Sequence, residues 1–251
     1  MTDHPAPRLS HVTLAAADPD GLAAFYRDAI GLDPLDAADP DTRVIGAGGR
    51  PLLRLVRATA PADRRAAPGL FHTAFLLPDR AALGGWFDHA LSTGLPLDGA
   101  ADHLVSEALY LTDPEGNGIE IYADRAPDTW RDAAGTIRMA SDPIDADGLR
   151  AARAPWSGAP DGTVLGHVHL RGAGLDTAPW LAMGMEETAR LPGARFLGWD
   201  GYHHHVAINT WAGAGLAPRA PGAPGLVGIA LRPDGEPRPV TDPAGLTLAI
   251  A

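Results

Sequence analysis

The hydrophobic and polar positions of this chain switch repeatedly between a period of two and a period near 3.6, which predicts strands alternating with helices. Residues 10–17 alternate as a strand. Asp18 and Pro19 then supply an N-cap and a first helical position, and Leu22, Phe25, Tyr26 and Ile30 mark one apolar helix face until Gly31 stops it. Residues 42–47 and 51–58 read as two strands turning at Gly48-Gly49. Residues 71–77 form the next strand, Pro78-Asp79 opens a second helix running to Ser92, and Gly94 ends it. A loop with Asp102 and His103 follows, then a hairpin over 108–111 and 119–122 around Pro-Glu-Gly-Asn. The order β-α-β-β, with room for one more short strand, thus occurs twice before residue 124.

A longer repeat overlies this one. His11-Val12-Thr13-Leu14 matches His167-Val168-His169-Leu170, and the apolar run led by His72 matches His205-Val206-Ala207-Ile208. Asp113-Pro114-Glu115-Gly116, leading to Glu120, matches Asp242-Pro243-Ala244-Gly245, leading to Ala249. Two copies of one module are expected: 8–124, then a linker over 125–163 anchored by Trp130 and Trp156, then a shortened copy over 164–251. His11 and His72 are 61 residues apart, whereas His167 and His205 are only 38 apart, so the stretch 172–180 replaces most of a helix. Residues 225–231 are the one strand expected in the Pro/Gly-rich tail.

The matched positions hold His11, His72 and Glu120 in the first copy. Two neutral imidazoles and one carboxylate form the facial set that binds Fe(II) or Mn(II) and leaves positions open. A single metal site in the first half is therefore expected, with Glu120 facing away from its neighbours Ile119 and Ile121. Singly, each residue reads more simply as a strand-end histidine or a solvated carboxylate; their coincidence at matched places points to metal. Tyr110 precedes Glu120 by ten residues across the hairpin turn, and His103 lies in the loop before it, so both are acid/base candidates. In Tyr202-His203-His204-His205, adjacent side chains face opposite ways on a strand. His203 and His205 could share a secondary site with His167, but no carboxylate matches Glu120 there, which favours packing and hydrogen bonding.

Composition narrows the chemistry. Of 251 residues, none is cysteine or lysine, which excludes thiolate nucleophiles, Cys-ligated metals and lysine Schiff bases. A net charge of −11 without a basic stripe argues against nucleic acid and anionic membranes as partners. No apolar run is long enough to span a bilayer, and the first residues lack a secretory pattern, so a soluble cytoplasmic protein is expected.

The stretches 102–122 and 201–211 resemble those of the vicinal-oxygen-chelate superfamily of glyoxalases, bleomycin-resistance proteins and extradiol dioxygenases, above all its two-module, catechol 2,3-dioxygenase-like members. The resemblance spans nearly the whole chain. It implies an α+β fold in which tandem βαβββ modules form a curved, half-closed mixed β-barrel flanked by helices, the second module shortened. It places metal ligands on His11, His72 and Glu120 and active-site roles on His103 and Tyr110. It implies Fe(II), with Mn(II), Zn(II) or Ni(II) as alternatives, and ring cleavage of a small aromatic diol by dioxygen. Strand 52–57 lacks the second carboxylate that glyoxalase-like relatives use, and His103 and Tyr110 match the ring-cleaving pattern. A metal-dependent lyase or isomerase, and a metal-free drug-sequestering protein, remain alternatives on the same scaffold. A homo-oligomer would cover strands that the shortened module leaves exposed.

Overall fold

The computed structural model describes residues 9–62, 66–231, 238–241 and 247–250. The chain begins with β1 (Leu9–Ala16), α1 (Pro19–Ile30), β2 (Asp33–Leu35), β3 (Arg43–Ala47) and β4 (Arg50–Arg57). It repeats that order with β5 (Gly69–Leu76), α2 (Arg80–Thr93), β6 (Gly99–Asp102), β7 (Ser106–Thr112) and β8 (Gly118–Asp124). A connecting segment with α3 (Ala146–Ala151) leads to β9 (Val164–Arg171), α4 (Ala178–Leu181), β10 (Glu186–Leu191), β11 (Ala194–Gly198) and β12 (Val206–Asn209). The last strands are β13 (Gly225–Leu231), β14 (Arg238–Thr241) and β15 (Thr247–Ile250). Positions 1–8 and the Asp242-Pro243-Ala244-Gly245 landmark lie outside the described residues.

Local chemistry sets the element ends. Asp79 caps α2 by accepting from the Ala82 amide at 2.8 Å, and Gly94, at φ 70°, closes it in the left-handed conformation that glycine adopts freely. Gly31 ends α1 the same way. The Asp18 side chain makes no cap hydrogen bond. Instead Glu115, in the β7–β8 turn, accepts from the Ala17 and Asp18 amides at 2.9 and 2.8 Å, so the start of α1 is pinned by a residue far along the chain. In the stretch 172–180, expected to replace most of a helix, only the single turn of α4 at its end is helical.

The fold is α+β, with tandem βαβββ modules forming a curved, half-closed mixed barrel flanked by helices, and a shortened second half. Among the described residues, one sheet has the order β14-β15-β13-β1-β4-β3-β2 and the other β10-β11-β12-β9-β5-β8-β7-β6. Sheet pairing does not follow the order of the chain. The first βαβββ unit joins the last through antiparallel β1–β13, and the second joins the third through antiparallel β5–β9. Each sheet is therefore built from both halves of the sequence.

The two sheets and α1 and α2 share one apolar cluster that includes Leu14, Leu53, Phe75, Trp86, Ile121 and Leu165. Fully burying such side chains contributes roughly 1.5–3 kcal/mol each. The Trp86 indole donates to the Ala29 carbonyl at 3.0 Å, tying α2 to α1, and the Tyr26 phenol donates to Asp113 at 3.0 Å. Strand alternation sends Ile119 and Ile121 into this core and turns Glu120 and Tyr122 to the other face of the eight-stranded sheet. The candidate site lies on that face.

Candidate active site

The antiparallel β5–β9 pair runs through the middle of the eight-stranded sheet, with Thr73 opposite Val168. About that point, His72 of one strand corresponds to His167 of the other. Parallel pairing of β5 with β8 sets Glu120 beside Ala74. Three side chains from both halves of the chain thus converge. The Glu120 Oε2 atom is 2.9 Å from His72 Nε2 and 3.1 Å from His167 Nε2, and the two imidazole nitrogens are 3.3 Å apart. All three residues are buried. A buried carboxylate needs compensating partners. Burial pushes the Glu120 carboxyl up, but His167 and His72 override it and hold the group well below the usual carboxylate range. Burial lowers the His167 pKa, an effect that Glu120 offsets only in part.

His11 does not reach this cluster. It stands on β1, in the seven-stranded sheet. There Thr13 pairs with Arg54 of β4 as Ala74 pairs with Glu120 of β8. A guanidinium thus occupies the place of the carboxylate. Burial and then Arg54 lower the His11 pKa, and a cation beside a histidine opposes a metal ion. The expectation of a site confined to the first half therefore gives way to one completed by His167. The place mirroring Glu120 on the far side of the sheet is also legible from the register: His169 stands beside Ala207 of β12, so no second carboxylate enters.

His103 and Tyr110 sit together beside the cluster. Tyr110 pairs directly with Glu120 across β7–β8, and its hydroxyl lies 2.5 Å from His103 Nε2. His103 Nδ1 is 2.7 Å from the Ala140 carbonyl, which can only accept, so Nδ1 carries a proton and Nε2 accepts from the phenol in the neutral ring. Burial and the nearby Glu120 charge push the Tyr110 pKa well up. His103 is aimed by a tight turn in which Leu104 adopts φ 67° and donates its amide to Asp102 at 2.9 Å. Left-handed backbone in a leucine costs about 1–2 kcal/mol. Asp102 is in turn held by Arg125 at 2.6 Å and by paired backbone hydrogen bonds with Asp142. The connecting segment therefore forms one wall of the site, with Trp130 buried as its anchor and Trp156 packed against the main core.

The secondary grouping of His167, His203 and His205 does not form. His167 joins Glu120, and His203 donates from Nε2 to Asp124 Oδ1 at 2.8 Å. The His205 Nδ1 accepts from the Trp199 amide at 3.2 Å, and its ring packs against Trp199 and Tyr202. The middle histidine of the run, His204, does reach the cavity, its ring centroid 4.1 Å from that of His167. His169 lines the cavity as well, its Nε2 2.9 Å from the Asn209 amide nitrogen. Neither residue stands out in a search for repeated landmarks. The alternation of His167 and His169 along one strand face was the signal available, because period two places both on the lining side.

A cavity of about 290 Å³ opens above the cluster, lined among others by Phe71, Met139, Phe196 and Trp211. A register shift between Leu70 and His72 lets Phe71 reach the cavity beside His72. His72, Glu120 and His167 offer ligand atoms within 4.8 Å of one another, a candidate metal centre. Among the described residues no helix is long and apolar enough to cross a membrane.

A curled mixed sheet with two histidines and a carboxylate at the floor of its cavity makes a candidate small-molecule site whose donor set could hold a divalent ion. The chain belongs to the Glyoxalase/Bleomycin resistance protein/Dioxygenase superfamily, whose family model matches residues 8–121. It is 38% identical over 212 residues to a catechol-2,3-dioxygenase of Bacillus subtilis (strain 168), covering 80% of this chain and 74% of that protein. Among solved structures, a putative dioxygenase from Bacillus subtilis subsp. subtilis str. 168 superposes with a TM-score of 0.64 at 15% identity, over 97% of this chain and 84% of that one. Glyoxalase I from Zea mays superposes with a TM-score of 0.56 at 14% identity, over 97% and 91%. These two share the fold.

Proposed function

We propose that the protein is an Fe(II)-dependent extradiol dioxygenase that cleaves the ring of a catechol-like substrate, with His72, His167 and Glu120 as the metal ligands. One observation carries this reading. Ligands on one face of an octahedron, with bonds of about 2.1 Å, stand about 3.0 Å apart. The three candidate ligand atoms form a triangle with edges of 2.9, 3.1 and 3.3 Å. The relative named as a catechol-2,3-dioxygenase supports the reaction class. Metal ligation requires the lone pair on His167 Nε2, which puts the proton on Nδ1, a buried atom without a hydrogen-bond partner.

A bound redox-active divalent ion supplies a chelation point for two vicinal oxygens and a route for electrons between ring and dioxygen. The protein's own groups handle protons and shape. Tyr110, kept protonated by burial and by Glu120, donates its hydroxyl hydrogen to His103 Nε2, so its oxygen can accept from a substrate hydroxyl. Proton loss from that hydroxyl then passes through the phenol to His103. On the opposite side, His204 offers a ring nitrogen that can take or return a proton. Phe71 and Phe196 give the space between apolar walls.

The test is direct. Protein loaded anaerobically with Fe(II) and then given catechols and oxygen is expected to take up oxygen and release the yellow ring-cleavage product. Activity supported equally by Ni, Co or Zn without oxygen uptake would move the protein to the lyase or isomerase class.

A further inference from the structure

The seven-stranded sheet carries a second copy of the site's framework with its charge reversed. In the eight-stranded sheet the β5–β9 register shifts between Leu70 and His72 and again between Ala74 and Phe75. The β1–β13 register shifts between Leu9 and His11 and again between Thr13 and Leu14, at the same two places. The parallel neighbours are also in step, Ala74 with Glu120 and Thr13 with Arg54. Position by position, His11 then stands for His72 and Arg54 for Glu120. Gly228 is the β13 partner of Thr13, as His167 is the β9 partner of Ala74.

These replacements convert a cation-binding arrangement into its opposite. Strand alternation buries Val12, Leu14, Leu53 and Leu55 in the shared core and turns His11, Thr13 and Arg54 to the other face, where each is partly buried. The carboxylate has become a permanent cation, and glycine leaves the third corner without a side chain. Val44 lies opposite Arg54 where Tyr110 lies opposite Glu120.

Among the described residues, Arg54 has no hydrogen-bond or ion-pair partner. Asp39 feels its charge, but the Asp39 oxygens are taken by the Asp41 amide and the Thr42 hydroxyl, both at 3.0 Å. A partly buried guanidinium thus keeps a planar fork of N–H donors, the geometry that matches a carboxylate. The Thr13 hydroxyl stands beside it. The Ser10 hydroxyl can donate to His11 Nδ1 at 3.3 Å, which leaves the neutral ring's proton on Nε2 for a ligand.

We propose that His11, Thr13 and Arg54 form a binding site for the carboxylate of a small organic acid, separate from the candidate metal centre. One permanent positive charge balances one negative charge. A dianion would bring a second negative charge toward Asp39 in a chain of net charge −11. The site stands whether or not the metal centre cleaves catechols.

The test is a titration of acetate and benzoate into the chelator-treated full chain with isotope-labelled histidines, read by the imidazole resonances and by calorimetry. The spectrum of His11→Gln identifies the His11 signal. Saturable shifts of that signal are expected, with those of His72 and His167 left in place. Arg54→Leu should weaken binding about tenfold to a hundredfold, the worth of a charge-assisted hydrogen bond. Arg54→Lys keeps the charge and loses the fork, so its affinity should fall between the two. The remaining imidazole signals show that each variant is folded. No saturable shift of His11, shifts confined to His72 and His167, or equal binding by Arg54→Leu would overturn the proposal. Sulfate binding as tightly as acetate would overturn its assignment to a single carboxylate.

Discussion

The Nδ1 atoms of His203 and His204 lie 2.8 Å apart, so one ring donates to the other. His203 Nε2 faces Asp124 Oδ1 at 2.8 Å, and a carboxylate can only accept there. In the neutral rings His203 therefore keeps its proton on Nε2, His204 donates from Nδ1, and His204 Nε2 is left as an acceptor. Asp124, remote from the cavity lining, thus sets the tautomer of a histidine that faces it.

Asp124→Asn should disturb this chain without touching a proposed ligand. An amide nitrogen presented to His203 forces the proton to Nδ1, and His204 must then carry its own on Nε2. The expected result is a fall in kcat of about tenfold to a hundredfold, with metal content and KM little changed. Steady-state kinetics across pH, with metal analysis of the same samples, check it. An unchanged pH profile would remove His204 from the chemistry.

Replacing each candidate ligand separates a two-half site from a first-half site. His167→Ala is expected to lose bound metal, because it removes one corner of the triangle around Glu120. His11→Ala should keep it, because His11 neighbours Arg54 in the other sheet. Elemental analysis of protein purified without chelator gives the answer. Retention in His167→Ala together with loss in His11→Ala would restore the first-half assignment.

What the sequence revealed depended on distance along the chain. Strand β13, the Gly48-Gly49 turn and the Asp79 and Gly94 ends of α2 follow from local patterns, and the structure places them as expected. Tyr110 and Glu120 meet because a tight hairpin fixes its own register. The partner of His72 was not legible, because identical first-strand patterns at His11 and His167 do not reveal which strand will pair with β5. That choice is made between whole units by burial of the shared core, an interaction without a local signature. His204 was hidden for a related reason: its neighbours His203 and His205 take other partners, and only the bend before β12 turns it to the cavity.

Tyr110→Phe removes the hydroxyl that His103 Nε2 accepts from and leaves the ring in place. Stability should fall by about 1 kcal/mol, the typical net value of one hydrogen bond. Catalysis should suffer more, with kcat reduced about a hundredfold if the phenol carries the substrate proton. Metal content should not change. Thermal unfolding and turnover measured on the same preparation distinguish a structural role from a catalytic one, because a structural role would move the first and spare the second.

Acid should unfold the metal-free protein early. Burial lowers the pKa values of His167, His169 and His204 from the ordinary 6.5. As pH falls below 6.5 the unfolded chain takes up protons at these positions while the folded chain does not. The unfolded state then binds more protons, so stability declines with falling pH by up to about 1.4 kcal/mol per unit for each histidine. The contribution is complete above 6.5 and is lost as pH drops toward the lowered values. Glu120, also held low, adds loss of the same sign at more acid pH, through protonation of its carboxylate. Chelator-treated protein should therefore show a Tm that is flat above neutrality and falls steeply below it. His169→Gln can keep a hydrogen bond to Asn209 but cannot be protonated, so its Tm should fall less steeply over the same range. Parallel curves for the two proteins would mean that His169 takes up its proton in the folded state as readily as in the unfolded one.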